Sequence, residues 1–323
     1  MVIMLRLAGL SIALAVFSTA AMAVELRLDA DSQVVGENIT VSAKHEDTFV
    51  ALARLYDLGF EELVRANPDV DPWLPGEGTE IVLPTQFVLP NAPRSGIVIN
   101  LPELRLYYFP DGEEGRVVTH PISIGRMDWG TPLGLTEILS KATNPAWYPP
   151  QSIRDEHAAD NRPLPAVVPP GPDNPLGAHA LRLGLPGYLI HGTNKPSGVG
   201  MRVTHGCIRM FPEDIEALFE TVPVGTPVRI VNQPVKLGHD GAALYVEAHP
   251  PLPDKLSEES SALTELTRAF VAFVEEGQGN GFDWDLAERV AMTSRGIPEF
   301  ISTFVPATSV SATDNLPAAG GGL

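Results

Sequence analysis

The residues able to do chemistry concentrate in one stretch, His191 to Arg209, which reads HGTNKPSGVGMRVTHGCIR. It holds Cys207, the single cysteine in 323 residues. Two imidazoles precede the thiol, His205 two positions earlier and His191 sixteen positions earlier. A thiol, a base to take its proton and glycines that let a substrate approach the backbone are the parts of nucleophilic catalysis. If the segment is extended, the His205 and Cys207 side chains share a face, so either histidine could be the base. A nearby imidazole, a helix starting after Pro212 and the amides around Gly206 would each favour the thiolate. The plain alternative is a buried cysteine packing as a small hydrophobe.

The flanking elements must place these groups. Tyr188-Leu189-Ile190 reads as a strand that delivers His191, and Pro212 to Thr221 as a helix behind the thiol. Upstream, Gly96 to Asn100, Leu104 to Phe109 and a run from Val117 to Ile122 are short and β-prone. Turn clusters at 110–115 and at Gly130-Thr131-Pro132 separate them. This spacing predicts a mainly β sandwich or barrel. Between Asn144 and Gly177 the chain is proline-rich, which argues against a central strand and for a lid or binding loop. Trp147 and Tyr148 within it are candidates for a wall of the substrate cleft, or for a plug holding the loop down.

The pattern His191-Gly192-Thr193, then Thr204-His205-Gly206-Cys207-Ile208-Arg209, resembles the L,D-transpeptidase catalytic domain of the YkuD type. The resemblance runs from about Gly96 to Val231 and implies a β-sandwich-like domain with a short helix near the nucleophile. It implies Cys207 as nucleophile, His191 as general base and acid, and His205 as support. The Gly192 carbonyl would orient His191, so no acidic partner is required. Amides of Gly206 and Cys207 would form an oxyanion hole. Arg209 and Thr204 would hold the site or a substrate carboxylate, for which a guanidinium fork is suited; a surface ion pair of Arg209 with Glu213 or Asp214 is the plain alternative. No cofactor is implied. His191, His205 and Cys207 could ligate zinc, but the chain has no His-x-x-x-His or Cys-x-x-Cys spacing, and the expected metal is none.

Residues 1–23 read as a signal peptide: Arg6, an apolar run from Leu7 to Phe17, and Ala21-Met22-Ala23 as the cleavage site. That makes the expected location periplasmic, where a leftover thiol is a liability unless buried or used. Residues 36–85, in the order strand, helix, helix, strand, resemble a LysM module through Asp47-Thr48, Leu63, Asn67-Pro68 and Ile81-Val82-Leu83-Pro84. The catalytic domain spans 94–232. A C-terminal extension of hairpin plus helices spans 233–304, with Leu263, Leu266, Phe270 and Val274 expected on one helical face. Residues 305–323 read as a disordered tail. The net charge of −18 argues against nucleic acid as a partner. The implied partners are peptidoglycan stem peptides and glycan, with an envelope lipoprotein as a second possible acceptor. An L,D-carboxypeptidase or endopeptidase would use the same residues, and a wall-binding protein without catalysis is the reading of another class. Oligomeric state is not legible in the sequence.

Overall fold

The computed structural model describes residues 24–110, 115–255, 261–275 and 282–303. The expected signal peptide and the tail lie outside them. Among the described residues, eighteen strands and six α-helices follow in order. The first part contains β1 (Val24–Arg27), β2 (Val34–Gly36), β3 (Ile39–Ser42), α1 (Phe49–Leu55), α2 (Phe60–Ala66), β4 (Glu80–Leu83) and β5 (Gln86–Val88). The central part contains β6 (Gly96–Asn100), β7 (Arg105–Phe109), β8 (Arg116–Pro121), β9 (Ile124–Gly125), β10 (Gly134–Thr143), α3 (Gln151–Ala159), β11 (His179–Leu183), β12 (Leu189–His191), β13 (Arg202–Thr204), β14 (Ile208–Arg209), α4 (Pro212–Thr221) and β15 (Pro227–Val231). The last part contains β16 (Val235–Asp240), β17 (Ala243–Ala248), α5 (Ala262–Glu275), α6 (Trp284–Thr293) and β18 (Glu299–Thr303). No helix among the described residues is long and apolar enough to cross a membrane.

The expectation of a mainly β domain holds. One nine-stranded sheet, in the order β1-β8-β7-β6-β15-β10-β11-β12-β14, carries the nucleophile region at one edge. Its β6, β7 and β8 are covered on both faces. Ile97, Ile99, Leu106, Tyr108 and Val118 pack into the core that also holds Ile190, Ile208, Met210 and Ile215. The alternate residues, Val98, Tyr107, Phe109 and Val117, pack into a second core with Phe49, Leu52, Leu63, Ile81 and Leu83. Successive side chains of a strand point to opposite faces, so these strands carry near-continuous apolar runs because each face has its own partner.

The N-terminal module is built around α1 and α2, joined by a short turn. Thr48 caps α1, its Oγ1 accepting from the Ala51 amide at 3.2 Å, and Phe49, Leu52 and Ala53 form the buried stripe. The module is wider than 36–85, because β2 pairs with β5 outside the β3–β4 pair. Ahead of the module, β1 pairs with β8 and extends the main sheet.

Two further expectations need correction. The proline-rich segment holds a helix, α3, which begins once Pro149 and Pro150 are passed; proline is compatible with a helix only at its start. The C-terminal extension contains the expected hairpin, β16-β17, and two helices, and β18 adds a third strand to it. Its buried helical stripe runs through Leu266 and Phe273, with Ala262 and Ala269 alongside. Leu263 and Val274 are exposed, so the face is rotated by one position from the expected one. Phe270 instead packs at a tilt against Phe282 and Trp284, with centroids 4.6 and 4.7 Å away.

Candidate active site

Three short strands bring the candidate residues together. β12 pairs with β11 on one side and runs parallel to β14 on the other, with His191 opposite Arg209. The Met210 amide donates to the His191 carbonyl at 2.9 Å, which locks the strand carrying the imidazole to the segment following the thiol. His191 is buried, and its Nδ1 lies 2.6 Å from the Gly192 carbonyl oxygen. A carbonyl can only accept, so Nδ1 carries the proton and Nε2 keeps its lone pair. Burial, with Arg209 nearby, pushes the imidazole down to about 4, against the pull of the Gly192 hydrogen bond. At neutral pH His191 is therefore an uncharged acceptor.

Cys207 follows Gly206, whose φ of +101° is a left-handed conformation that suits glycine. A Cβ there would sit 2.9 Å from the Tyr188 ring. Two threonines fix this turn. Thr204 Oγ1 donates to the Cys207 carbonyl at 2.6 Å and accepts from the Gly206 amide at 3.2 Å. Thr131 Oγ1 donates to the Gly206 carbonyl at 2.8 Å and accepts from the Gly125 amide at 3.1 Å. This corrects the expectation for Gly206: its amide is engaged by Thr204 and does not point free at a substrate. The Cys207 thiol lies 3.7 Å from the Gly187 carbonyl. Burial raises its pKa, while a hydrogen bond from the Leu189 backbone and the Arg209 charge oppose that rise.

Arg209 does not take the ion pair that its neighbours offered. Glu213 pairs with Arg54 at 2.8 and 3.0 Å, and Asp214 lies 3.5 Å from His120. Among the described residues Arg209 has no salt bridge, and its Nε is buried without a hydrogen-bond partner. A largely desolvated guanidinium thus stands beside the thiol.

His205 is half-buried. Trp129 packs edge-on against it with centroids 5.1 Å apart, and its Nε2 lies 3.2 Å from Glu156 Oε2. Glu156 comes from α3, inside the proline-rich insertion, and its other oxygen is held by Arg126. Burial, joined by Arg126, lowers the His205 pKa, and Glu156 opposes the shift. Glu156, Arg126 and Trp129 were missed in the sequence because they lie far along the chain from the motif. The signal available was the proline-free run Gln151 to Ala159 directly after Pro149-Pro150. Trp147 is tied to Val168 by paired backbone hydrogen bonds of 2.9 and 2.8 Å within the insertion, and Tyr148 is 69% exposed. Neither makes a ring contact or hydrogen bond with the cysteine or either histidine among the described residues; the rings against His205 are Trp129 and His157.

Two other groups of donors converge, Asp57 with His120 and Asp214, and Glu103 with Glu247 and His249. Each already encloses a nitrogen cation. His120 sits 3.5 Å from both aspartates and is pushed up to about 10 by them against the cost of its burial. Lys236 lies 2.8 Å from Glu103 and 2.9 Å from Glu247. In each, that cation stands between the two carboxylates.

Residues 94–230 match the family model YkuD, the L,D-transpeptidase catalytic domain. The chain is 42% identical over 276 residues to Escherichia coli (strain K12) "Probable L,D-transpeptidase YcfS", covering 83% of this chain and 85% of that one. It is 38% identical over 286 residues to Salmonella typhimurium "Probable L,D-transpeptidase ErfK/SrfK", covering 85% and 90%. A solved structure of L,D-transpeptidase 3 from Mycobacterium tuberculosis overlaps 67% of this chain and 97% of its own, with 19% identity and a TM-score of 0.32. The chain belongs to the L,D-transpeptidase family.

Proposed function

We propose that the protein is a cysteine-dependent L,D-transpeptidase acting on tetrapeptide stems of peptidoglycan. The observation that carries this reading is His191, buried and uncharged, with Nδ1 held by the Gly192 carbonyl and Nε2 left as the base. As Cys207 Sγ attacks the carbonyl carbon of the third stem residue, its proton passes to His191 Nε2. The C–S bond forms, the C–N bond to the terminal D-alanine breaks, and the departing amine takes the proton from His191. An acceptor amine then attacks the thioester, giving its proton to His191. A new C–N bond forms, the C–S bond breaks, and the thiol is reprotonated. The Cys207 amide is the candidate oxyanion donor, and Arg209 the candidate partner of a stem carboxylate.

The acceptor is a second stem peptide, giving a 3-3 cross-link, or the lysine of an envelope lipoprotein. The N-terminal module serves as a LysM-like glycan anchor. Its Trp73 and Leu74 are exposed, and Trp73 stands 5.7 Å from Phe60, an apolar surface of the kind that stacks on sugar rings. Residues 1–23 act as a cleaved signal peptide that directs the chain to the periplasm. The test is mass spectrometry of the mature protein incubated with a tetrapeptide wall fragment, with and without an acceptor fragment. A Cys207 adduct followed by a cross-linked dimer is the expected result. A shortened tripeptide without dimer indicates hydrolysis. Unchanged fragment, or full turnover by Cys207→Ala, overturns the proposal.

A further inference from the structure

The N-terminal module touches the nucleophile segment on both of its flanks. On the upstream flank, the turn entering α2 lies against the loop before β13. The Phe60 amide donates to the Val199 carbonyl at 3.3 Å and the Glu61 amide to the Gly200 carbonyl at 3.2 Å. The two backbones meet so closely that a Cβ on Gly59 would stand 2.9 Å from Gly200 Cα, and one on Gly200 only 2.2 Å from Gly59 Cα. Gly200 lies four residues before Thr204, whose hydroxyl holds both the Gly206 amide and the Cys207 carbonyl. The loop is further tied by Ser123 Oγ, which donates to the Gly198 carbonyl at 2.7 Å.

On the downstream flank, the module grips the start of α4. Arg54 forks onto Glu213, and Asp57, from the turn between α1 and α2, faces His120 and Asp214 at the centre of the junction. Beneath both contacts, the fully buried Arg105 of β7 donates paired hydrogen bonds of 2.8 and 2.9 Å to Glu62 of α2. A tethered binding module needs no such arrangement. Covalent linkage alone suffices to raise the local concentration of a substrate.

We propose that the turn Asp57 to Glu61 of the N-terminal module is a positioning element of the transpeptidase site, setting the Cys207 turn through Gly200 and Thr204 and through α4. The proposal rests on the catalytic reading above and adds a second role to the module beyond glycan attachment. Small displacements of a nucleophile from its attack geometry cost large factors in rate, which gives the contact a measurable consequence.

The experiment uses the full mature chain and Gly59→Ala. Gly59 has a φ of −82°, which alanine adopts without strain, so the added methyl acts as a wedge, first against Gly200 Cα at 2.9 Å and then against the Glu62 carboxylate at 3.1 Å. The substrate is a soluble tetrapeptide without glycan, which a sugar anchor cannot influence. The expected result is a fall in kcat of about tenfold or more, with KM within about threefold of the parent. Because Cys207 is the only cysteine, its alkylation by iodoacetamide across pH reports the thiol directly, and that profile is expected to shift in the variant. Asp57→Asn, which keeps the left-handed backbone of that position (φ 52°) accessible, probes the α4 flank of the same turn by the same readouts if Gly59→Ala fails to fold. Unchanged kcat and an unchanged alkylation profile in a folded variant overturn the proposal. If the parent chain fails to turn over the peptide, the catalytic reading falls, while the alkylation profile still decides whether the module positions the thiol.

Discussion

Two buried histidines of this molecule, His191 and His120, show how partners decide what an imidazole does. Both are shielded from water, and burial alone disfavours the charged form of each. His191 is given a backbone carbonyl and a neighbouring arginine, so it stays neutral with a free acceptor nitrogen. His120 is given two aspartates, Asp57 and Asp214, and is held as a cation. One environment leaves a neutral acceptor nitrogen, the other a cationic clasp between modules. Their pH signatures have opposite sign. The folded pKa of His191 lies near 4, below an ordinary 6.5, so its contribution to stability is full above 6.5 and is lost as pH falls towards 4. The folded pKa of His120 lies near 10, so its contribution is full below 6.5 and is lost as pH rises towards 10.

The largest expected effect breaks the first half of that comparison. His191→Gln removes the base while keeping a polar group, and should lower kcat/KM by about 10²–10⁴-fold. The parent should lose activity on the acid side only as pH drops through about 4, where His191 becomes charged. Steady-state rates with a tetrapeptide from acid to neutral pH check both statements. An acid limb centred near 6.5 would mean that His191 is not desolvated as the structure has it.

The second half is broken by His120→Leu, which leaves Asp57 and Asp214 facing each other without their cation. Removing one partner of a buried ionic cluster costs about 3–5 kcal/mol, measurable as a lower urea midpoint at pH 7. The deficit relative to the parent should shrink as pH approaches 10, where the parent's own imidazolium is titrated away. A deficit that stays constant with pH would place the effect in packing and not in charge.

How much of this was legible beforehand follows from the range of each signal. The thiol, both histidines and Arg209 sit in one continuous stretch, and α1 shows its cap and apolar spacing within a few residues. Those features are local and could be read. Glu156 meets His205 across 49 positions, and nothing in a proline-rich insertion says where its helix will land. The burial of Val98 and Tyr107 depends on a module 40 or so residues upstream folding onto the outer face of β6 and β7. Leu263 and Leu266 of α5 are equally apolar, and only the sheet beneath decides that Leu266 is the one covered. The engagement of the Gly206 amide by Thr204 is a matter of turn geometry that the motif does not display.

Between the two histidines stands His205, half-buried and held by an acid from the insertion. Glu156→Gln keeps the shape of that contact and removes its charge. Losing a charge-assisted hydrogen bond to a group beside the nucleophile should lower kcat by about three- to tenfold, with little change in the urea midpoint. Glu156→Asp should recover less than the parent rate, because its shorter side chain cannot reach both His205 and Arg126. An unchanged kcat in Glu156→Gln would reduce α3 to a cover over the cleft.

The smallest effect sharpens the comparison by asking whether burial is what gives the His120 junction its weight. Arg54 and Glu213 join the same two elements a short distance away, with Arg54 47% exposed. Exposed pairs contribute about 0–1 kcal/mol because water screens them and ordering two side chains costs entropy. Arg54→Gln should therefore shift the urea midpoint far less than His120→Leu, and the shift should fade as salt is raised. If Arg54→Gln instead destabilised the fold as much as His120→Leu, the fork onto Glu213 and not the buried imidazolium would be the principal tie between the N-terminal module and α4.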